Sequence, residues 1–337
     1  MSLFRPVQFP FLKLPYLCIE SVIRSWDIFD IIFFALLSRK TRRIVKSLKI
    51  PLNGIEVYLK SYKRISLRRD HKILNSWDFI HGNTEGIPLV LQKNADPLYT
   101  VKSNLSLDSY TAGNEADALK MALEFLNDVF KCTVDTIEIE GDNFPESGDL
   151  AVRSTVNLDL SWQELQEFGP VRSQHLNLLL QNLEVTDMFN FYVENPGYLD
   201  PKLFKCQELW FWSYPPVWLT RDVLLQFEAP RLTFYSLPLE IIVSFVTHWF
   251  YSDNKKLEYL YIDNRELVEE EELPQTQIPL EAFKDLKPVH FSERSKVPKL
   301  ESITDMDFSK GLEIIRHDGL QATIHSSGDE FLFYVWH

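Results

Sequence analysis

Glycine is scarce in this sequence, with 11 residues in 337. Loops that bind phosphate or a dinucleotide depend on glycine, because their backbone must approach the phosphate closely. The chain contains neither motif, and it also lacks the G-x-S-x-G elbow, the H-E-x-x-H pair and the C-x-x-C pair. We therefore predict that the protein is not an enzyme and has no catalytic residue, no cofactor site and no metal site.

Cysteine is also rare. The three cysteines, Cys18, Cys132 and Cys206, are odd in number and far apart, so we interpret them as small buried side chains in a reducing compartment. The first eleven residues carry one charge and two prolines, unlike a signal peptide. No uninterrupted apolar run reaches the length of about 20 residues that spans a bilayer. We expect a cytoplasmic or nuclear protein with no membrane partner.

Positive charge is limited to one part of the chain. The net charge is −13, yet residues 1–48 hold eight Lys or Arg against three acidic residues, about +5, which leaves about −18 for the remainder. An acidic body argues against nucleic acid as a partner, because neutralised phosphates supply much of such binding. The basic run Arg39–Arg43 is typical of a solvated helix face, and it would also attract an acidic protein partner.

The N-terminal 48 residues predict three helices. Leu14 and Pro15 precede the first, which presents one broad apolar face, and the third starts near Ser38. The middle helix, Ile28–Leu37, is apolar on every side apart from Asp30. An element of roughly 40 residues buries too little surface to be stable alone. The middle helix is therefore either covered by the rest of the chain, as an ordinary core helix, or covered by a partner.

The order of residues from Leu14-Pro15 through Val22-Ile23 to the Ile31…Leu37-Ser38-Arg39 ending resembles an F-box, with departures at Trp26, Phe33 and Thr41. In that family the helices dock on the Skp-type adaptor of a cullin–RING ubiquitin ligase. The resemblance implies an F-box at residues 1–50. The residues it assigns to adaptor binding are Leu14, Pro15, Ile19, Val22, Ile23, Ile31, Phe34 and Leu37.

Residues 51–337 form the second predicted domain. Short strands are predicted up to residue 112, then a helix with Asn114 as its N-cap and a strand at Val134–Glu140, a step typical of a parallel sheet. Five apolar segments then predict strands at intervals, with helices between them and a final β-meander from Leu312 to Trp336. The five segments are Val156–Leu160, Leu176–Leu180, Leu209–Trp212, Leu232–Tyr235 and Leu257–Ile262.

Between the last three segments the starts are 23 and 25 residues apart, a spacing found in leucine-rich repeats. An ordinary α/β domain is the alternative. The order of these elements behind the F-box resembles the F-box-associated domain of a nematode F-box family. The prediction is an α+β protein in which a three-helix F-box precedes an α/β leucine-rich-repeat-like domain closed by the β-meander.

The resemblance implies a non-catalytic substrate receptor of an SCF-type ubiquitin ligase. Its partners would be a Skp-type adaptor, through it a cullin, and a protein substrate. The alternative function is a repeat-like interaction scaffold with no ligase link, in which the N-terminal helices cap the second domain.

Aromatic residues supply the candidate substrate site, which consists of Trp210, Trp212, Tyr214 and Trp218. Because neighbours in a strand point to opposite faces, Trp210 and Trp212 share one face of the sheet and Phe211 takes the other. Two apolar faces indicate either a sheet covered on both sides or one face kept for a partner. Trp and Tyr are favoured anchors in such recognition surfaces.

Overall fold

The computed structural model of the protein describes most of the chain. The described residues are 10–69, 72–82, 90–91, 98–102, 106–141, 143, 150–161, 170–192, 198–212, 219–263, 278–290, 308, 311–327 and 330–337. They form two compact units, which we call unit 1 (Met1–Asp135) and unit 2 (Thr136–His337). The fold is α+β, with helices at the N-terminus followed by mixed sheet structure.

Unit 1 begins with a 3-10 turn at Phe11–Lys13. Its helices are α1 (Tyr16–Arg24), α2 (Ile28–Leu37), α3 (Arg39–Ser47) and α4 (Glu115–Val129). Asp27, Ser38 and Asn114 precede α2, α3 and α4, and each side chain accepts a hydrogen bond from a backbone amide in the first turn. The predicted helix starts near Ser38 and at Asn114 are confirmed.

The strands of unit 1 lie in the order β1-β2-β3-β6-β5-β4. Their bounds are β1 (Pro51–Leu59), β2 (Lys63–Arg69), β3 (Lys72–His81), β4 (Val90–Leu91), β5 (Leu98–Lys102) and β6 (Ser106–Thr111). All neighbouring pairs are antiparallel except β3 and β6, which are parallel. The division between the units falls within the next strand, β7 (Lys131–Glu140).

Phe125 of α4 links the N-terminal helices to the sheet of unit 1. Its ring meets the indole of Trp77 on β3 edge-on, with 6.4 Å between centroids, and the Trp77 Nε1 donates to Ser109 Oγ at 2.8 Å. The Arg42 guanidinium of α3 lies over the Phe125 ring, 4.7 Å from its centroid. Because α3 packs on α4 in this way, the N-terminal helices belong to the same compact unit as strands β1 to β6.

Unit 2 alternates strands and helices before an antiparallel end. Its strands are β8 (Ser154–Ser161), β9 (Glu184–Tyr192), β10 (Glu208–Phe211), β11 (Arg231–Phe234), β12 (Tyr259–Asp263), β13 (Val289–His290), β14 (Leu312–Ile315), β15 (Gln321–Ser327) and β16 (Glu330–Trp336). Its helices are α5 (Pro170–Asn182), α6 (Arg221–Leu224) and α7 (Leu239–Tyr251), with 3-10 turns at Pro201–Leu203 and Leu280–Leu286.

Strands β8 to β12 are parallel and adjacent in sequence order, and β16, β15, β14 and β13 continue the sheet antiparallel. One face of the parallel part, which we call the inner face, carries a row of phenylalanines in register, Phe191, Phe211 and Phe234. Phe211 stacks on Phe234 with centroids 5.2 Å apart, and all three rings are buried. The row lies in the hydrophobic core of unit 2.

One predicted strand is wrong. Leu176–Leu180 lies within helix α5, and the strand that pairs with β8 is β9, which the repeat pattern did not include. The wrong segment contains four leucines and no β-branched residue, a composition with high helix propensity. The other four segments overlap β8, β10, β11 and β12, and β14 to β16 form the predicted antiparallel meander.

Candidate functional site

Helix α1 has an apolar stripe that points to solvent. Leu17, Cys18 and Val22 lie on the solvent side of the helix, and Leu14 lies just before its N-cap, Pro15. Leu17 is 75% exposed and Val22 is 38% exposed, and Leu14 is half-buried. Cys18 is exposed, so the prediction that this cysteine is buried is wrong. We call these four residues the α1 stripe. The opposite side of the helix is buried through Ile19 and Ile23.

The middle helix, α2, is only partly covered. Phe29, Ile31, Ile32 and Ala35 are buried, whereas Leu37 is 49% exposed and the remaining apolar side chains of the helix are half-buried. A helix that is apolar on every side and not enclosed leaves apolar surface for contact with another molecule.

The eight residues assigned to adaptor binding separate into three groups. Ile19, Ile23 and Ile31 are 5%, 0% and 4% exposed, so they pack inside unit 1 and present no surface. Leu14 and Phe34 are half-buried, while Pro15, Val22 and Leu37 are exposed. Sequence patterning alone did not separate these groups, because both sides of α1 and α2 carry apolar residues.

Trp26 belongs to an aromatic cluster with Phe11 and Phe34. The Trp26 ring stacks on Phe11 with centroids 5.6 Å apart and meets Phe34 edge-on at 5.2 Å. Phe11 and Phe34 are also in edge contact at 5.7 Å. The two additional rings cover one side of Phe34, and helical periodicity did not predict this contact because Phe11 precedes the helices.

A second apolar surface lies on the outer face of the unit 2 sheet, opposite the phenylalanine row. Trp210 and Trp212 project from this face, with ring centroids 4.9 Å apart. The Tyr192 ring lies parallel to Trp212, at 5.5 Å between centroids and an interplanar angle of 3°. Tyr192 is 43% exposed, and both tryptophans are half-buried. We call these three residues the aromatic platform.

A polar network borders the aromatic platform. The Trp210 Nε1 and the Tyr259 hydroxyl each donate to Glu208 Oε1 at 2.5 Å. Arg231, on the neighbouring strand, donates from Nε to Glu258 Oε2 at 2.7 Å, and this hydrogen bond raises the pKa of the guanidinium. The network holds Trp210 in place through its ring nitrogen.

The Asp159 carboxylate lies at the edge of the platform opposite this polar network. Burial, together with the nearby Asp159 carboxylate, raises the pKa of the Tyr192 hydroxyl. Asn190 donates to the same carboxylate at 2.5 Å. The Trp212 Nε1 is buried and has no hydrogen-bond acceptor in the part of the chain that the structure describes. Asp159 therefore gives this edge a negative charge beside the rings.

The prediction that Trp210 and Trp212 share a face and that Phe211 takes the other is confirmed. Tyr214 and Trp218, the other two candidates, lie outside the described residues. Tyr192 was not predicted, because its strand was placed at Leu176–Leu180. The alternation of Phe189, Phe191 and polar residues along β9 was the signal that identifies this strand.

Unit 2 also contains a cavity of about 420 Å³. Phe227, Leu232, Phe245 and Trp249 supply apolar walls, and Lys202 and Lys256 are among the polar lining residues. Within the described ranges, no group of three or more His, Cys, Asp or Glu side chains is arranged to hold a metal ion.

None of the helices in the described part of the chain is both long and apolar enough to cross a membrane. Comparison with models of protein families, with curated proteins and with solved structures found no match.

Proposed function

We propose that the protein is a non-catalytic substrate receptor of an SCF-type ubiquitin ligase. In this proposal the N-terminal helices are an F-box that docks on a Skp-type adaptor, and through it on a cullin, while unit 2 captures a protein substrate. The observation that carries the proposal is the exposed α1 stripe, together with the partly covered helix α2. Exposed apolar side chains grouped on a helix favour contact with a partner.

The energetics favour an apolar interface, with positive charge on the same unit. Burial of a leucine that was exposed contributes roughly 1.5–3 kcal/mol, and Leu17 is the most exposed of the large apolar side chains in the described ranges. The exposed side chains Arg39, Lys40 and Arg43 on α3 add positive charge to the same unit. Such positive charge increases the association rate with an acidic adaptor.

Unit 2 supports the substrate-binding part of the proposal. Its parallel strands start at residues 154, 184, 208, 231 and 259, 23 to 30 residues apart, which is close to the period of a leucine-rich repeat. We propose a leucine-rich-repeat-like arrangement whose outer face presents the aromatic platform. Tyr and Trp supply large, rigid contact surfaces in recognition sites.

The mechanism in this proposal is proximity. A receptor that holds its substrate near a ubiquitin-charged enzyme raises the effective concentration of a substrate lysine without chemistry of its own. The side chains of this chain then contribute only binding surfaces.

The proposal is tested by affinity for a Skp-type adaptor bound to the N-terminal part of a cullin. The full-length protein carrying Leu17→Ala is compared with Leu178→Ala, since Leu178 is an exposed leucine on α5 of unit 2. We expect Leu17→Ala to weaken adaptor binding about 10-fold or more, as truncation of a central anchor does, and Leu178→Ala to leave it unchanged. Equal affinities for the two variants, or no binding by the wild-type protein, would refute the proposal.

A repeat-like interaction scaffold without a ligase link is the second candidate. The packing of α3 on α4, through Arg42 and Phe125, favours it, because these helices also serve as a structural part of unit 1. In that case the wild-type protein binds no Skp-type adaptor, and truncation of Phe125 lowers the stability of unit 1 without any effect on a ligase.

A further inference from the structure

We propose that the aromatic platform binds arginine side chains of an extended, basic segment of a protein partner. The proposal adds a substrate class to the function proposed above, but the binding it predicts does not depend on the adaptor. It stands on the geometry of three rings and on the charges around them.

The rings form a stack that a planar cation extends. Tyr192 and Trp212 are parallel within 3°, and Tyr192 is the most exposed of the three rings. A guanidinium group is planar, stacks on aromatic rings and is attracted by the negative charge of their faces. The ammonium group of lysine carries the same charge but is not planar, so an arginine side chain fits this stack better.

The charges beside the rings also favour a cation. The described residues around the platform include three acidic residues and one basic residue. These are Asp159, Glu208 and Glu258, and Arg231. Residues 49–337 carry about −18 in total. A basic segment is attracted to such a surface, whereas an acidic segment is repelled.

The platform is large enough to contact more than one side chain of an extended peptide. Side chains at alternate positions of a strand project from the same side and repeat every 7 Å or so. The ring centroids of Trp210 and Trp212 are 4.9 Å apart, and those of Trp212 and Tyr192 are 5.5 Å apart. Both separations are shorter than this repeat, so we expect arginines at every second position to contact different rings.

The test measures fluorescence anisotropy of labelled nonapeptides added to the full-length protein. The probe peptide alternates Arg and Ser, and two control peptides replace every Arg by Glu or by citrulline, which keeps the planar shape without the charge. We expect the Arg peptide to bind, the citrulline peptide to bind at least about five-fold more weakly, and the Glu peptide not to bind.

Protein variants separate the platform from general attraction to an acidic surface. Trp212→Ala and Tyr192→Ala are expected to weaken binding of the Arg peptide about five-fold each. Tyr251→Ala removes a tyrosine of α7 that is 68% exposed and should leave the affinity unchanged. Tyr192 is partly exposed, so its variant should fold even if Trp212→Ala does not, and thermal unfolding checks this for each variant.

Three results would overturn the inference: no binding of the Arg peptide, equal binding of the Arg and citrulline peptides, or equal effects of Tyr192→Ala and Tyr251→Ala. Adaptor affinity is measured on the same preparations. Adaptor binding without Arg-peptide binding refutes this inference alone, and the reverse pattern refutes the ligase proposal alone.

Discussion

Helices α1 and α7 start in the same way, but their apolar faces have opposite surroundings. Each follows a proline N-cap, Pro15 or Pro238, with nearly the same φ angle, −55° and −56°. In α7 the apolar face is buried: Trp249 is 2% exposed, and its ring meets Phe333 at 5.0 Å and lies under the Arg316 guanidinium at 4.8 Å. In α1 the stripe that includes Leu17 faces solvent.

The difference shows that apolar residues at helical spacing do not by themselves reveal their role. The apolar face of α7 stabilises its own unit, because β16 and Arg316 supply the cover. The α1 stripe contains no buried residue of the unit 1 core. If the comparison is sound, truncations in α7 change stability, and truncations in the stripe change binding.

The largest effect is expected for Trp249→Ala. Removal of a buried tryptophan side chain should lower the free energy of unfolding of unit 2 by about 3 to 5 kcal/mol. Leu17→Ala should change the stability of unit 1 by no more than about 0.5 kcal/mol. Urea denaturation followed by circular dichroism measures both, with Trp249→Phe as a control that retains much of the apolar volume. Comparable losses for Trp249→Ala and Leu17→Ala would end the distinction between the two helices.

The next effect concerns the start of α1. The double variant Leu14→Ala with Pro15→Ala should lose at least ~2 kcal/mol of adaptor docking, about 30-fold in affinity, if these residues are central anchors. Pro15 is exposed and Leu14 is half-buried, so we expect the fold of unit 1 to persist. Isothermal titration of the adaptor into each protein measures the change. Unchanged affinity would remove both residues from the docking surface.

The smallest effect is present at neutral pH, is lost in acid and concerns the cover of α7. Arg316 donates two hydrogen bonds to Asp318, and this pairing lowers the pKa of the Asp318 carboxyl. A lowered pKa in the folded state stabilises the protein above the ordinary carboxyl pKa of 3.8, and this contribution is lost as the pH falls through the lowered value. Asp318→Asn should therefore flatten the decline in stability of unit 2 below about pH 4.

Thermal unfolding of the wild-type protein and the Asp318→Asn variant between pH 2 and pH 7 measures this dependence. The melting temperatures of the two proteins should differ most at neutral pH and converge in acid. A constant difference across this range would show that Asp318 acts through something other than its charge.

Much of the fold was predictable because local signals agreed with the final structure. Helix α7 (Leu239–Tyr251) is one of the helices predicted between the apolar segments, since a proline precedes it and its apolar residues recur with the helical period. The β-meander was predictable from turn residues between apolar runs. Helix α5 was not, because Leu176–Leu180 is apolar enough for a buried strand and the period of so short a run does not distinguish the two.

The candidate sites were less predictable, since they depend on which side of an element the rest of the chain covers. Alternation placed Trp210 and Trp212 on one face, yet Tyr192 joins them only through the pairing of β9 with β10. Likewise, Ile23 and Val22 are adjacent and equally apolar, and only the packing of unit 1 leaves Val22 exposed and Ile23 buried.

The most direct test of the central claim, that the α1 stripe is an interface, uses the thiol within it. Cys18 is exposed, whereas burial raises the pKa of Cys132 and of Cys206 to about 12, so Cys18 should be alkylated first near pH 8. The measurement is the rate of Cys18 alkylation by iodoacetamide, with and without a Skp-type adaptor in excess. The account predicts that the rate falls in proportion to the fraction of protein bound. An alkylation rate that the adaptor leaves unchanged would contradict it.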